Sequence, residues 1–457
     1  MRITRFWAKG YRSLRDVALE GFGPFVVFYG PNGSGKSNVL RGIETVLAAA
    51  GVWASYERPG TSRFAKALAA EGVLGPDDRF RGASKNALQT VLGVELDGDA
   101  AEGINTLLSL GQTLPSTLRI EVTVLWDGAE PMEATLDCSF DGVAGDVAEA
   151  AALRAQPGTS LRATLARVAR EAFWKVTADR SMRDETLALT PVAEDAAKDS
   201  DVIRTALREG RVQTAVFHAK NDWDASNRRR FEAMRTLLAK TLGLPAMDVG
   251  RDPKTGHIDL RQPLGKGDAD ISLRSAGLGV ENVVGVVAAV LFARCRTVAV
   301  EEPEAHLHAR TSARALRDLL LRLVDPGDGE RAELDQLFIA THSNLFDLDA
   351  SGFWDVAMED GATVVRRKPL DELDARHLYE PGPARHALLR SLEYLDPSTV
   401  VFRRLTDSTA VTAAEMCDLL RCDAREADDY LAAVYASAVR SVRRLAANVD
   451  GRPERPT

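Results

Sequence analysis

Gly30-Pro31-Asn32-Gly33-Ser34-Gly35-Lys36-Ser37 has the spacing G-x-x-x-x-G-K-[ST]. Glycines let a backbone wrap closely round phosphate oxygens, so that successive amides and the N-terminus of a following helix face an anion. The Lys36 ammonium would then reach the β- and γ-phosphates, and the Ser37 hydroxyl would hold Mg²⁺. The candidate nucleotide-binding residues are therefore Gly30, Pro31, Asn32, Gly33, Ser34, Gly35, Lys36, Ser37 and Asn38, with ATP and Mg²⁺ as the expected cofactors.

Three further segments could complete such chemistry. Thr297-Val298-Ala299-Val300-Glu301-Glu302 ends an apolar run in two carboxylates. Glu301 can support the metal, while Glu302 can orient or deprotonate an attacking water. Leu337-Phe338-Ile339-Ala340-Thr341-His342-Ser343 ends in a histidine able to hydrogen-bond the γ-phosphate or that water. Lys36, Glu302 and His342 are thus the candidate catalytic residues. Leu273-Arg274-Ser275-Ala276-Gly277 opens an apolar helix, where Ser275 and Gly277 can bind phosphate through hydroxyl and amides, or Ser275 can simply cap the helix.

These residues need elements to position them. Phe25 to Tyr29 reads as a buried strand before the glycine-rich loop, and Ser37 to Ala50 as a helix after it. Ile3 to Trp7 and Val17 to Leu19 read as strands, while Gly51 to Leu118 looks mixed and loop-rich. Ile120 to Leu125 should pair with Ala134 to Phe140. Asp146 to Trp174 reads as mostly helical, Val212 to His218 as a strand and Asn227 to Leu242 as an amphipathic helix. Gly256 to Leu260 and Ile271 to Leu273 should be short strands. Helices are expected over Ala276 to Arg294 and Ala305 to Val324, strands over Arg296 to Val300 and Gln336 to Ala340, and a closing hairpin over Phe353 to Met358 and Ala362 to Arg367.

The chain has 457 residues, enough for two or three units of ordinary size. Four cysteines, none in a Cys-x-x-Cys pair, argue against a disulfide scaffold or zinc knuckle and favour the reducing cytoplasm. No apolar run is long enough to span a membrane. The formal charge of −8 confines any nucleic-acid contact to a local patch. The candidates are Arg2, Arg5, Lys9, Arg12 and Arg15 near the start and the run Arg228-Arg229-Arg230.

The four motif segments, in this order, resemble the ABC-type ATPases, and more narrowly the group containing RecF, the SMC proteins and the OLD-family ATPases. Ile3-Thr4-Arg5-Phe6 with Gly10-Tyr11-Arg12-Ser13-Leu14-Arg15-Asp16 looks like that group's opening strand and turn. Asn38 after the phosphate loop is typical of it. Glu301-Glu302-Pro303-Glu304-Ala305-His306-Leu307-His308 is similar to the Glu-Pro-Glu-x-His-Leu-His stretch of OLD-like and phage-defence ATPases, and Thr341-His342-Ser343 matches their switch histidine. Three features depart from the pattern. Glu301 stands where many relatives have Asp, the signature helix reads Arg-Ser-Ala-Gly-Leu, and the glutamine loop has no clear position, with Gln89 a weak candidate.

The resemblance implies an α/β fold: a discontinuous ABC-type P-loop ATPase head from residues 1–50 and 250–370, a mixed insertion over 51–249 and a helical C-terminal region over 371–457. It implies a homodimer or higher oligomer in which Ser275 completes the partner's site. OLD nucleases add a Toprim domain; here Asp347-Leu348-Asp349 lies beside the switch histidine, too early to belong to one. A separate effector protein is therefore expected. The leading reading is an ATP-dependent switch acting on DNA in phage defence or repair, with sequence-independent contact to DNA. The alternative is an ATP-held scaffold that stores an effector, turns over little and binds no DNA directly. The C-terminal cadence around Thr412 to Tyr435 could be a helix-turn-helix, but its acidic second helix favours a protein-docking tail.

Overall fold

In the N-terminal hairpin, β1 (Arg2–Tyr11) buries Ile3, Phe6, Ala8 and Tyr11, and β2 (Leu14–Glu20) returns antiparallel with Arg5 opposite Glu20 and Lys9 opposite Asp16. The computed structural model describes residues 1–56, 60–80, 89–97, 117–140, 143–144, 161–178, 185–186, 199–242, 247–263, 270–275, 277–307, 312–325, 332–343 and 352–369. The expectations for Asp347 to Asp349, for residues 371–457 and for the part of the first predicted central helix before residue 161 lie outside these residues.

β3 (Phe25–Tyr29) leads into the glycine-rich loop and α1 (Lys36–Ser55), as the sequence predicts. The stretch read as loop-rich holds more order than expected. It contains α2 (Thr61–Ala70) and β4 (Gln89–Asp97), in which Thr90, Leu92, Val94 and Leu96 are buried at every second position. β4 pairs with β1, β5 (Thr117–Asp127) pairs with β4, β6 (Glu130–Phe140) pairs with β5, and the short β7 (Val143–Ala144) closes the edge. Residues of the 51–249 segment thus extend the sheet begun by the first twenty residues.

α3 (Leu161–Glu171) packs on α1 and gives way to β8 (Trp174–Val176), a strand that begins at Trp174, where the expected helical stretch ends. Phe173 and Trp174 beside Val176 are residues that suit a pleated, half-buried surface, and β8 pairs in parallel with a later core strand. β9 (Glu185–Thr186), α4 (Asp199–Arg208), α5 (Val212–Asn221) and α6 (Ala225–Leu242) follow. α5 corrects the strand expected over Val212 to His218. Its residues Val212 to Val216 are all buried, so no polar face betrays the helical period. The buried Glu185 carboxylate accepts the amides of Gln213 at 3.1 Å and Thr214 at 2.6 Å, satisfying donors that a helix start leaves open.

β10 (Asp248–Arg251), β11 (His257–Pro263) and β12 (Asp270–Ser272) form a small antiparallel sheet with β9. α7 (Leu278–Phe292), β13 (Thr297–Glu301), α8 (Ser312–Val324), β14 (Gln336–Thr341), β15 (Phe353–Glu359) and β16 (Ala362–Lys368) complete the described chain. The helix expected over Ala305 to Val324 is present as α8 from Ser312, while Pro303 to His306 form a turn, flanked by left-handed φ of 43° at Glu302 and ending in 62° at His306, so the helix does not start at Ala305.

The second large sheet runs β16-β15-β3-β14-β13-β8, with all neighbours parallel except the β15–β16 hairpin. Its central strands feed two cores by alternation. Val26, Phe28, Ala299, Phe338 and Ala340 face the core shared with α1 and the antiparallel sheet. Val27, Val298, Val300, Leu337 and Ile339 face the core shared with α5, α6 and α7. The Gln336 amide joins the two sheets: its Oε1 accepts Ile3 N at 2.9 Å and its Nε2 donates to Ile3 O at 2.9 Å. This is a mixed α/β fold with a glycine-rich phosphate-loop motif at the end of a central parallel strand, assembled from segments far apart in sequence.

Candidate functional site

The strand order decides where the motifs meet. β14 lies between β3 and β13, and all three are parallel, so their C-terminal ends open on one edge. That edge is where open α/β sheets bind ligands. β3 delivers the glycine-rich loop, β13 delivers Glu301 and Glu302, and β14 delivers Thr341 and His342. A cleft of about 220 Å³ lies between them, lined by Asn32, Gly33, Gly35, Lys36, Ser37, Asn38, Glu301, Glu302, Ala340 and Ala178.

The loop has the shape its glycines permit. Gly33 and Gly35 have φ of 78° and 103°, which L side chains rarely adopt. A Cβ at Gly35 would sit 1.9 Å from Thr363 Oγ1, and one at Gly30 would sit 2.1 Å from Val356 O. Lys36 is buried, and its Nζ donates to its own loop at Gly30 O, 2.7 Å, and Pro31 O, 2.9 Å. Burial holds its ammonium below the usual lysine range, while the carboxylates of Glu302, Glu304 and Glu301 oppose that shift. Ser34 is also buried, and its hydroxyl has no partner among the described residues. A buried cation, an orphaned hydroxyl and a left-handed glycine cradle fit a polyphosphate. The exposed Ser37 and the buried Glu301 line the same cleft, as a shared divalent cation would require.

His342 bridges the acids, its Nδ1 lying 4.0 Å from Glu302 Oε1 and 3.6 Å from Glu304 Oε1. Glu304 is a site residue that sequence reasoning quoted without a role. It is almost wholly buried and accepts the Thr341 hydroxyl through Oε1. Burial pushes its carboxyl above the usual range, against the opposing hydrogen bond from Thr341.

Asn38 lines the cleft but also reaches back, its Nδ2 donating to Ser13 Oγ at 2.7 Å. Ser13 Oγ in turn lies 2.6 Å from Thr363 Oγ1, which donates to Ser34 O at 2.9 Å. Asn38, Ser13 and Thr363 therefore brace the loop from behind. Ser13 and Thr363 are 350 positions apart, so no local pattern could have paired them.

The structure does not bring Ser275 and Gly277 to this cleft. Both are exposed, and α7 starts at Leu278 after Gly277, without the side-chain cap that Ser275 was free to supply. Gln89 is exposed at the start of β4 and does not line the cleft. The residue that enters it from the β13 edge is Ala178, just past β8.

The N-terminal cations are largely engaged. Arg5 pairs with Glu20, Arg12 with Asp78 at 2.7 Å, and Arg15 donates to Asp360 O at 3.2 Å while lying over Phe80. Arg228 donates to Asp222 O and Trp223 O, and Arg230 is partly buried near Arg294. Arg2, Lys9 and Arg229 are exposed. Among the described residues no helix is long and apolar enough to cross a membrane.

Comparison with known proteins agrees with this geometry. Residues 185–349 match an AAA-domain family whose description names AbiEii toxin and a Type IV TA system. Over 43 residues the chain is 49% identical to the DNA replication and repair protein RecF of Acinetobacter baylyi, and over 43 residues 51% identical to RecF of Acinetobacter baumannii. Each stretch covers 9% of this chain and 12% of the relative, so the match spans only a small part of those proteins. Among solved structures, an SMC head bound to the C-winged helix domain of ScpA superimposes with a TM-score of 0.47 at 15% identity, covering 82% of this chain and 99% of that one. The SMC head domain from Thermotoga maritima gives 0.39 at 16% identity, covering 80% and 99%. The strand order carries the fold independently of these likenesses.

Proposed function

From the premise of a RecF/SMC-like ABC-type ATPase, we propose that this protein binds and hydrolyses ATP and uses the cycle to switch between free and ATP-held dimeric heads in the cytoplasm. The observation that carries this reading is the convergence of Lys36, Ser37, Glu301, Glu302 and His342 at three adjacent parallel strand ends.

The roles follow from position. Loop amides and the Lys36 ammonium would hold the β- and γ-phosphates, with Lys36 exchanging its bonds to Gly30 O and Pro31 O for phosphate oxygens. Ser37 and Glu301, which line the cleft, would hold a divalent cation, whose chemistry would be to neutralise charge at the phosphate oxygens. The half-exposed Glu302 carboxylate would accept a proton from the attacking water, and His342, within 4.0 Å of it, would orient that water or the γ-phosphate. Ser275 and Gly277, exposed and away from the cleft, would complete the site of a second copy. The test is ATP turnover by the purified chain beside Glu302→Gln, with nucleotide binding measured in parallel. Turnover by wild type with binding but no turnover by the variant supports the assignment. Equal rates would remove Glu302 as the base.

The output is assigned to DNA transactions in phage defence or repair, acting with a separate effector protein. A second reading is favoured by one observation. Arg5, Arg12 and Arg228 are already bonded within the head, which leaves little cationic surface for phosphates. That favours an ATP-held scaffold for the effector, without direct DNA binding. Turnover and salt-dependent DNA binding separate the two readings.

A further inference from the structure

Helix α7 is strongly apolar, and most of its side chains are buried valines, alanines and leucine. Glu281 and Asn282 interrupt it, and Asn282 is only 3% exposed. An amide buried this deeply is costly unless it is hydrogen-bonded. Asn282 Nδ2 donates to Pro303 O at 3.0 Å and to Ala305 O at 2.6 Å. Those carbonyls belong to the turn that immediately follows Glu302.

The turn needs holding. Glu302 and His306, neither a glycine, have left-handed φ of 43° and 62°, a conformation that persists only where its surroundings impose it. Glu302 N donates to Ala340 O at 2.7 Å, which fixes the turn's entry on β14. α7 fixes its exit. A Cβ on Gly279 would sit 2.7 Å from His306 O, so the first turn of the helix presses directly on the turn's backbone. The approach to the helix faces outward instead: Ser275 and Gly277, which precede it, are exposed, and Leu278, its first residue, is 50% exposed.

We infer that Asn282 is a positioning residue through which contact at the exposed start of α7 is passed to Glu302 in the same head. The inference rests on the reading that Ser275 meets the nucleotide of a second copy. α7 presses on the Glu302 turn through Gly279 in its first turn and bonds to it through Asn282 in its second, so a contact made at Ser275, three positions before Leu278, would reach that turn through the helix. Each head would then reach full catalytic geometry only when its own α7 has engaged the other's nucleotide. The two composite sites would fire in concert rather than independently.

The experiment is a double-mutant cycle on ATP turnover with Ser275→Arg, which blocks the outer contact, and Asn282→Asp, which keeps the shape but removes the donor. Fluorescent-ATP affinity and melting temperature are measured on every variant. Asn282→Asp should lower kcat at least tenfold with less than a threefold change in KM or nucleotide affinity. Asn282→Asp combined with Ser275→Arg should be no slower than Ser275→Arg alone. A variant that merely loosened the fold would move nucleotide affinity and melting temperature together with kcat. If the two substitutions multiply instead, or if Asn282→Asp leaves kcat unchanged, the relay is wrong while the ATPase reading stands. If wild type does not hydrolyse ATP, or Ser275→Arg changes nothing, the dimeric-site reading falls and takes the relay with it.

Discussion

Glu304 shows how one side chain can sit between chemistry and stability. Its carboxyl is raised above the ordinary range by burial, so the folded chain holds that proton more tightly than the unfolded chain does. The sign follows directly. The group favours folding below its unfolded pKa, and that contribution is lost as pH rises through the raised value. Glu304→Gln keeps an acceptor for the Thr341 hydroxyl and removes the titration. The melting-temperature difference between variant and wild type should therefore grow in the variant's favour as pH rises from about 4.5 toward neutrality. A difference independent of pH would reject the assignment. At the same scale, Lys36→Ala should weaken nucleotide binding. Glu302→Gln should preserve binding and slow turnover by roughly a hundredfold or more.

The chemistry-bearing residues were legible because each motif is contiguous. Gly30 to Ser37, Glu301-Glu302 and His342 each carry their chemistry within a few positions. Their supports were not. Ser13, Thr363 and Asn282 act through partners distant in sequence, and only folding reveals the pairing.

Among the elements, the strands that carry motifs were readable from short apolar runs bounded by turn residues. β4 was missed inside the stretch read as loop-rich: Thr90, Leu92, Val94 and Leu96 alternate, but glycine and charged residues on its other face masked the pattern. α5 was misread for the opposite reason: its first five residues, Val212 to Val216, are all buried, and Val212, Thr214 and Val216 look like strand residues. Its cap comes from Glu185, on another element. Glu185→Ala should cost about 2 kcal/mol of stability, because two charge-assisted bonds to backbone amides are lost and the amides stay buried. Chemical denaturation measures this, and an unchanged midpoint would show that α5 needs no such cap. The brace behind the phosphate loop is testable in the same way. Thr363→Val keeps the shape and removes the hydroxyl that donates to Ser34 O. About 1 kcal/mol, roughly fivefold, should be lost in ATP affinity with little change in fold stability. Equal affinity in titration calorimetry would make the brace ornamental.

At the scale of the whole molecule, the sheets join segments that lie far apart in sequence. β1 and β14 are bonded through Gln336, β3 enters between β14 and β15, and β8 forms the far edge, so strands from the first thirty residues, from residues 174–176 and from after residue 296 make one sheet. The meeting of the motif strands was legible from motif order and the β5–β6 pairing from its alternation, whereas β4, which joins that pair to the N-terminal hairpin, was not. The charge map also changes with folding. Arg5 and Arg12 sit in salt bridges and Arg15 and Arg228 donate to backbone carbonyls, so DNA contact should depend on Arg2, Lys9 and Arg229 and be modest. Lys9→Glu with Arg229→Glu, in the Glu302→Gln background with ATP, should lower DNA affinity and reduce the steepness of its salt dependence by about one counterion per lost phosphate contact. No binding at low salt even before substitution would favour the scaffold reading.

The central claim is that ATP holds two heads together through contacts each head cannot make alone. Sedimentation of Glu302→Gln at one protein concentration, with and without Mg-ATP, tests it most directly, because the blocked turnover keeps the ligand in place. ATP bound at the interface should raise the dimer fraction by mass action, and adding Ser275→Arg should return it to the nucleotide-free value while Lys36-dependent ATP binding persists. Equal dimer fractions with and without ATP, in a protein shown to bind it, would contradict the account.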